Sequence, residues 1–209
     1  GWIDIDTVYV GTDFGPGSLT DSGYPRIIKR WRRGQPLAEA VTVFEAQRSD
    51  VAAGVSVDHT PGYERTLFTR APDFFSSVDA LLVDGRLQKL DKPADAQLSF
   101  WYGQVLLSLR SDWGPWPSGA LLASDAAAYL AGSPQWHALF TPTATRSLAG
   151  STLLRHTVLL EVLDNVAGRL EEHRLMGATW QRREVQAPFP GTLHAQSLHD
   201  TWVPDDPLG

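Results

Sequence analysis

No cysteine occurs among the 209 residues, which excludes both a disulfide framework and thiolate catalysis and leaves reducing and oxidising compartments equally open. Long apolar runs are missing as well. None approaches the ~18 residues of a membrane-spanning helix, and the N-terminus lacks a charged-then-apolar leader pattern, so a soluble polypeptide is expected, cytoplasmic or periplasmic. Positive charge is in deficit: 18 Lys and Arg stand against 24 Asp and Glu, for a net charge of -6 and a pI near 5.4. That balance argues against nucleic-acid binding through phosphate neutralisation. Methionine is reduced to Met176, and the chain opens on Gly1-Trp2, from which excision or processing from a longer polypeptide is expected.

What the sequence has instead is a recurring pattern of short β-branched and aromatic runs separated by Gly, Pro, Asp and Asn. Runs closing on Asp13, Arg70, Asp112 and Asp164 are 57, 42 and 52 residues apart. Periods of roughly 40 to 50 residues mark propeller blades made of four-stranded sheets. The spacing predicts an all-β fold with units at about 1–48, 49–93, 94–143 and 144–190, and the start of another over 191–209. Strands are expected in the first unit near Trp2–Ile5, Thr7–Gly11, Arg26–Arg33 and Val41–Ala46. In the second, Asp79–Val83 and Leu87–Leu90 flank Asp84-Gly85, a pair suited to a two-residue type I′ turn because both positions need positive φ. Asp125 followed by alanines and closed by Gly132 predicts one short helix over 125–132. Val158, Leu159, Val162 and Val166 also fit helical spacing, but repeat register and β-branching favour a strand ending at Asp164-Asn165.

Against this background one stretch is distinctive. Thr12-Asp-Phe-Gly-Pro-Gly-Ser-Leu-Thr-Asp-Ser-Gly-Tyr-Pro-Arg26, followed by Arg30-Trp-Arg-Arg-Gly-Gln-Pro-Leu-Ala-Glu-Ala40, closely resembles the β-propeller domain of bacterial members of the prolyl oligopeptidase family. Phe68-Thr-Arg-Ala-Pro-Asp-Phe, Leu109-Arg-Ser-Asp-Trp, Gly119-Ala-Leu-Leu-Ala-Ser-Asp and Leu160-Glu-Val-Leu-Asp-Asn-Val extend the resemblance over most of the chain. It implies about four four-stranded blades of a seven-bladed ring. It also implies a partner α/β-hydrolase domain, with its serine nucleophile, to which nothing in this chain corresponds. The implied role is a non-catalytic, substrate-gating portion of a serine peptidase that cuts short peptides after proline, with peptide substrate and hydrolase domain as partners and no cofactor. A standalone propeller-like module binding protein or carbohydrate is the alternative.

The residues support that division of labour. A nucleophile elbow needs Gly-x-Ser-x-Gly, and neither Gly15-Pro-Gly-Ser-Leu nor Leu148-Ala-Gly-Ser-Thr has that spacing. The six histidines follow no zinc pattern, and His194 and His199 fall on opposite faces of any strand. Aspartates near strand ends, Asp4, Asp6, Asp13, Asp112 and Asp164, suit turn hydrogen bonding better than a glycosidase pair. Two features remain as candidate interaction sites. Arg30, Trp31, Arg32 and Arg33, with Arg26 and Lys29, put basic residues on both faces of one strand, serving either salt bridges to acidic neighbours or a patch for an anionic peptide terminus or the hydrolase domain. Trp113 and Trp116 flank Gly-Pro in a loop, whereas Trp101, Trp136 and Trp180 are expected to pack between blades. Because a four-blade arc exposes a sheet face at each end, at a cost of about 10 kcal/mol for ~400 Å² of apolar surface, a homodimer through the end blades is expected.

Overall fold

In the computed structural model, residues 1–186 and 194–196 are described. They form antiparallel sheets in two units, divided between Ala96 and Gln97. The expected start of a further blade over 191–209 lies outside the described residues apart from 194–196.

In the first unit, β1 (Thr7–Gly11), β2 (Ile27–Arg32) and β3 (Val41–Glu45) make one sheet in chain order. The second sheet is β4 (Ala52–Asp58), β5 (Arg65–Ala71), β6 (Val78–Val83) and β7 (Arg86–Lys89), again a simple meander. The strand expected near Trp2–Ile5 is reduced to a bridge between Trp2 and Val8. Its cause is local: Asp4 Oδ1 accepts the amides of Asp6 and Thr7 at 2.8 and 2.7 Å, so the chain turns back before a ladder can lengthen. Residues 1–3 still bond along β1, with the Tyr9 amide donating to Gly1 O at 2.8 Å and the Ile3 amide to Thr7 O at 2.9 Å.

The two sheets of this unit meet through aromatic side chains. Phe68 on β5 is fully buried. It lies 5.3 Å edge-on from Tyr9 and 5.2 Å stacked on Phe44, with Ile28 and Val55 around it. Between β6 and β7, Asp84 and Gly85 take φ of 48° and 74°, the positive pair of a type I′ turn.

The second unit repeats the plan with β8 (Gln97–Trp101), β9 (Gln104–Ser108), β10 (Leu121–Asp125) and β11 (His137–Phe140). A further sheet contains β12 (Arg146–Leu153), β13 (Val158–Asp164), β14 (Ala167–Met176) and β15 (Thr179–Val185). The run Thr157–Val166 is a strand plus turn, as repeat register required. Period-two burial makes the interface, since Val158, Leu160 and Val162 all point into the core that holds Leu106, Leu121 and Phe140. Trp101 and Trp180 pack there at 5.6 Å, and Trp101 Nε1 donates to Leu154 O at 2.6 Å, which fixes the indole between the two sheets. The short helix is present as α1 (Ala126–Leu130), capped by Asp125 accepting from the Ala128 amide at 2.8 Å.

Candidate functional site

Strand alternation divides the basic cluster. Arg30 and Arg32 share the face of β2 that carries Ile28, opposite Tyr9 and Thr7 of β1, whereas Lys29, Trp31 and Arg33 point the other way. On that second face Lys29 Nζ sits 4.4 Å above the Phe14 ring, Arg33 lies over Trp2, and Trp31 Nε1 donates to Gln35 O at 2.9 Å. Arg26 belongs to neither set, because it forms an ion pair with Glu45 of β3 and donates to Gly17 O at 2.6 Å. Arg30, Trp31, Arg32 and Arg33 are therefore two arrangements rather than one patch.

The face with Arg30 and Arg32 floors a cavity of about 620 Å³. Tyr9, Arg30 and Val41 form a row across the three strands, and Thr7 pairs with Arg32 beside it. One wall is the turn Ile3–Asp6, pinned by the Arg33 amide donating to Asp6 O at 2.7 Å. The other contains Gln35 and Glu39, the latter in a 3₁₀ turn, Leu37–Glu39. Asp4 is held below the usual carboxylate range first by the Asp6 amide, with Thr7 and the nearby Arg32 adding to it, so it stays ionised.

Trp113 and Trp116 bond to each other through both backbone pairs, at 2.8 and 2.9 Å, around Gly114 with φ of 55°. This tight hairpin is half-buried rather than free. Trp113 packs edge-on against Trp136 at 5.8 Å, and Trp136 against Tyr129 of α1 at 5.7 Å. The repeated aspartates have separate tasks. Asp13 accepts from the Gly15 amide and Asp112 from the Ser118 amide, while Asp164 lies 3.9 Å from Arg146 and Asp6 lines the cavity. Ser18 sits in the Gly-Pro crossing with its hydroxyl 2.8 Å from Asp13. His194 Nδ1 lies 3.1 Å from Glu161, and His199 falls outside the described residues.

A cluster that sequence reasoning missed lies on β14, where Glu171, Glu172 and His173 are 2%, 7% and 3% exposed. Glu171 pairs with Arg146 of β12 and with Arg182 of β15, the latter at 2.7 Å, and His173 Nε2 stands 3.5 Å away. Burial raises Glu172, but Arg174 and Arg183 outweigh it and hold the carboxyl below its ordinary range. Burial pushes His173 down despite Glu171. A signal existed in the Glu-Glu-His-Arg run facing Arg182-Arg183 across a hairpin at Met176–Thr179, whose register sets Glu172 against Arg183.

Antiparallel meanders, each strand bonded to its neighbour in chain order, are the strand pattern of β-propeller blades. No family model matches the chain. It is 32% identical over 213 residues to the uncharacterized peptidase y4nA of Sinorhizobium fredii, covering 95% of this chain and 29% of that one. An uncharacterized peptidase of Rickettsia prowazekii is 23% identical over 95% of this chain and 30% of its own length. A post-proline cleaving enzyme from Rickettsia typhi superposes with a TM-score of 0.82 at 24% identity, over 90% of this chain and 29% of that one. Oligopeptidase B from Trypanosoma brucei follows at 0.62 and 13% identity, over 88% and 26%. The chain thus spans about three-tenths of the length of the curated relatives it matches. It is similar in sequence to part of proteins named as peptidases, and it shares the all-β propeller fold of part of these solved structures.

Proposed function

We propose that this chain is the substrate-gating, non-catalytic propeller portion of a prolyl oligopeptidase-like serine peptidase that cleaves short peptides after proline. The observation that carries the proposal is coverage: 95% of the chain aligns with only 29% of a protein named as a peptidase, without a Gly-x-Ser-x-Gly motif in the aligned sequence. Hydrolysis then belongs to a partner α/β-hydrolase domain. The physical contribution of the propeller is rigidity. Sheets joined by buried aromatic contacts such as Tyr9–Phe68–Phe44 and Trp101–Trp180 can exclude bulk water and folded proteins from a reacting centre without any titrating group. Lys29 of β2 and Arg33 just after it, on the side opposite Arg30 and Arg32, are proposed to meet an anionic surface of the hydrolase domain.

Two measurements test this. The 209-residue chain is expected to leave a proline-containing chromogenic peptide intact and to resist fluorophosphonate labelling, so stoichiometric labelling would sink the assignment. The full peptidase is expected to cut short proline peptides and to slow steeply as substrates lengthen. Equal rates on short peptides and on a folded protein would remove the gating role.

A further inference from the structure

The apolar seam between the sheet of β8–β11 and the sheet of β12–β15 receives two ionisable side chains, Glu171 and His173 of β14. Both point the same way as Leu160 and Val158, their register partners on β13, and as Leu175, which packs on the core of that seam. Glu171 Oε1 accepts from Arg146 of β12 and, at 2.7 Å, from Arg182 of β15, while Oε2 lies 3.5 Å from His173 Nε2. Arg146 also lies over the Phe140 ring of β11 at 5.9 Å, so one side chain joins the two sheets. His173 is 3% exposed, and its Nε2 is sealed from solvent without a hydrogen bond among the described residues.

The charges around that nitrogen balance only while it is neutral. Arg182, the register partner of His173, and Arg146 are cations, and His137 of β11 is near enough to oppose a further positive charge. Against them stand Glu171 and Asp164, the latter 3.9 Å from Arg146. Arg169 and Glu184 pair with each other, and β13 presents apolar Val158, Leu160 and Val162 before Asp164. A proton on His173 adds a third cation to two anions in the interior. Burial, Arg182 and His137 oppose that proton more than Glu171 favours it. Buried ionic networks add little stability over apolar packing, and what this one adds is a dependence on pH. We propose that protonation of His173 opens the seam between these two sheets locally, loosening β11 and β12 and leaving β4–β7 intact. The open form hydrates the imidazolium and takes up its proton near the ordinary 6.5, so opening gains as pH falls below that value and is lost above it. The device rests on this cluster alone and does not depend on the gating role.

Hydrogen exchange of the 209-residue chain, read by mass spectrometry at pH 7.5 and pH 5.5 and corrected for the intrinsic rate at each pH, tests this. One histidine denied its proton in the closed seam favours the open form at pH 5.5 by at most about tenfold. Protection of residues 137–140 and 146–153 is therefore expected to fall several-fold, up to about tenfold, between the two pH values, and that of 52–89 to stay constant. His173→Gln takes up no proton, so its protection is expected to be equal at both. His137→Gln, at an exposed position, removes one opposing charge. It is expected to lose less protection at pH 5.5 than the unsubstituted chain, and it serves if His173→Gln fails to fold. Equal protection of the unsubstituted chain at both pH values, or a loss shared by 52–89, overturns the proposal. So does a loss undiminished in His173→Gln or, where that variant does not fold, in His137→Gln. The peptidase assays above would be untouched by that failure.

Discussion

Val166 offers a measurable test of the turn geometry. It follows Asn165 between β13 and β14, and the two residues have φ of 71° and 47°. A left-handed conformation costs an L-residue about 1–2 kcal/mol, and a β-branched side chain resists it further. Val166 is 92% exposed, so its methyl groups recover almost nothing through packing. Val166→Gly removes the strain but gives the unfolded chain more freedom, at about 0.4–1 kcal/mol. The net expectation is a stabilisation of roughly 0.5–1 kcal/mol, which for a chain of this size raises Tm by about 1–4 °C. The substitution also creates Asn-Gly, the pair that type I′ hairpins favour. Gly85→Val, at φ of 74° in the equivalent turn between β6 and β7, is the reverse experiment and should cost about 1 kcal/mol or more. Thermal melts followed by far-UV circular dichroism measure both. If Val166→Gly lowers Tm, or Gly85→Val leaves it unchanged, positive φ is not what limits these hairpins.

Removing the carboxylate of Glu171, which is 2% exposed between Arg146 and Arg182, leaves guanidinium groups without their partner, so Glu171→Gln should destabilise by about 3 kcal/mol in denaturant titration. His173 has its pKa lowered by burial, which makes the unfolded state the stronger proton binder. Stability is then complete above the ordinary 6.5 and declines as pH falls below it, and His173→Gln should flatten the loss between pH 7 and 5. The stabilisation from Glu172, lowered by Arg174 and Arg183, is instead lost below its ordinary value of 4.5, so the two windows separate in a pH series. Pairing of copies through the face of the first sheet that carries Val8, Val10 and Trp31, each half-buried within one copy, should give a dimeric mass in light scattering. A monomeric mass at every dilution would show that Lys29 and Arg33 keep that face solvated.

Much of the fold was legible because it is local. Asp84-Gly85 dictated a turn through backbone sterics alone, Asp125 and its alanines dictated a capped helical turn, and alternating Val158, Leu160 and Val162 identified a buried strand face. Period two also placed basic residues on both faces of that strand. The strand assigned near Trp2–Ile5 failed for an equally local reason, the capture of two amides by Asp4, which competed with the ladder.

Tertiary structure decided the rest, because charge energetics depend on partners remote in sequence. Nothing near Glu171 announces that Arg146, 25 positions earlier and two strands away, will neutralise it in the interior. Trp113 reads as a loop aromatic in sequence, whereas in the fold it packs edge-on against Trp136, which itself lies against Tyr129. Sequence determined that Arg30 and Arg32 would face the same way. That they face a walled cavity follows only from where Ile3–Asp6 and Gln35–Glu39 come to rest, since concavity belongs to the packed arrangement and not to any one strand.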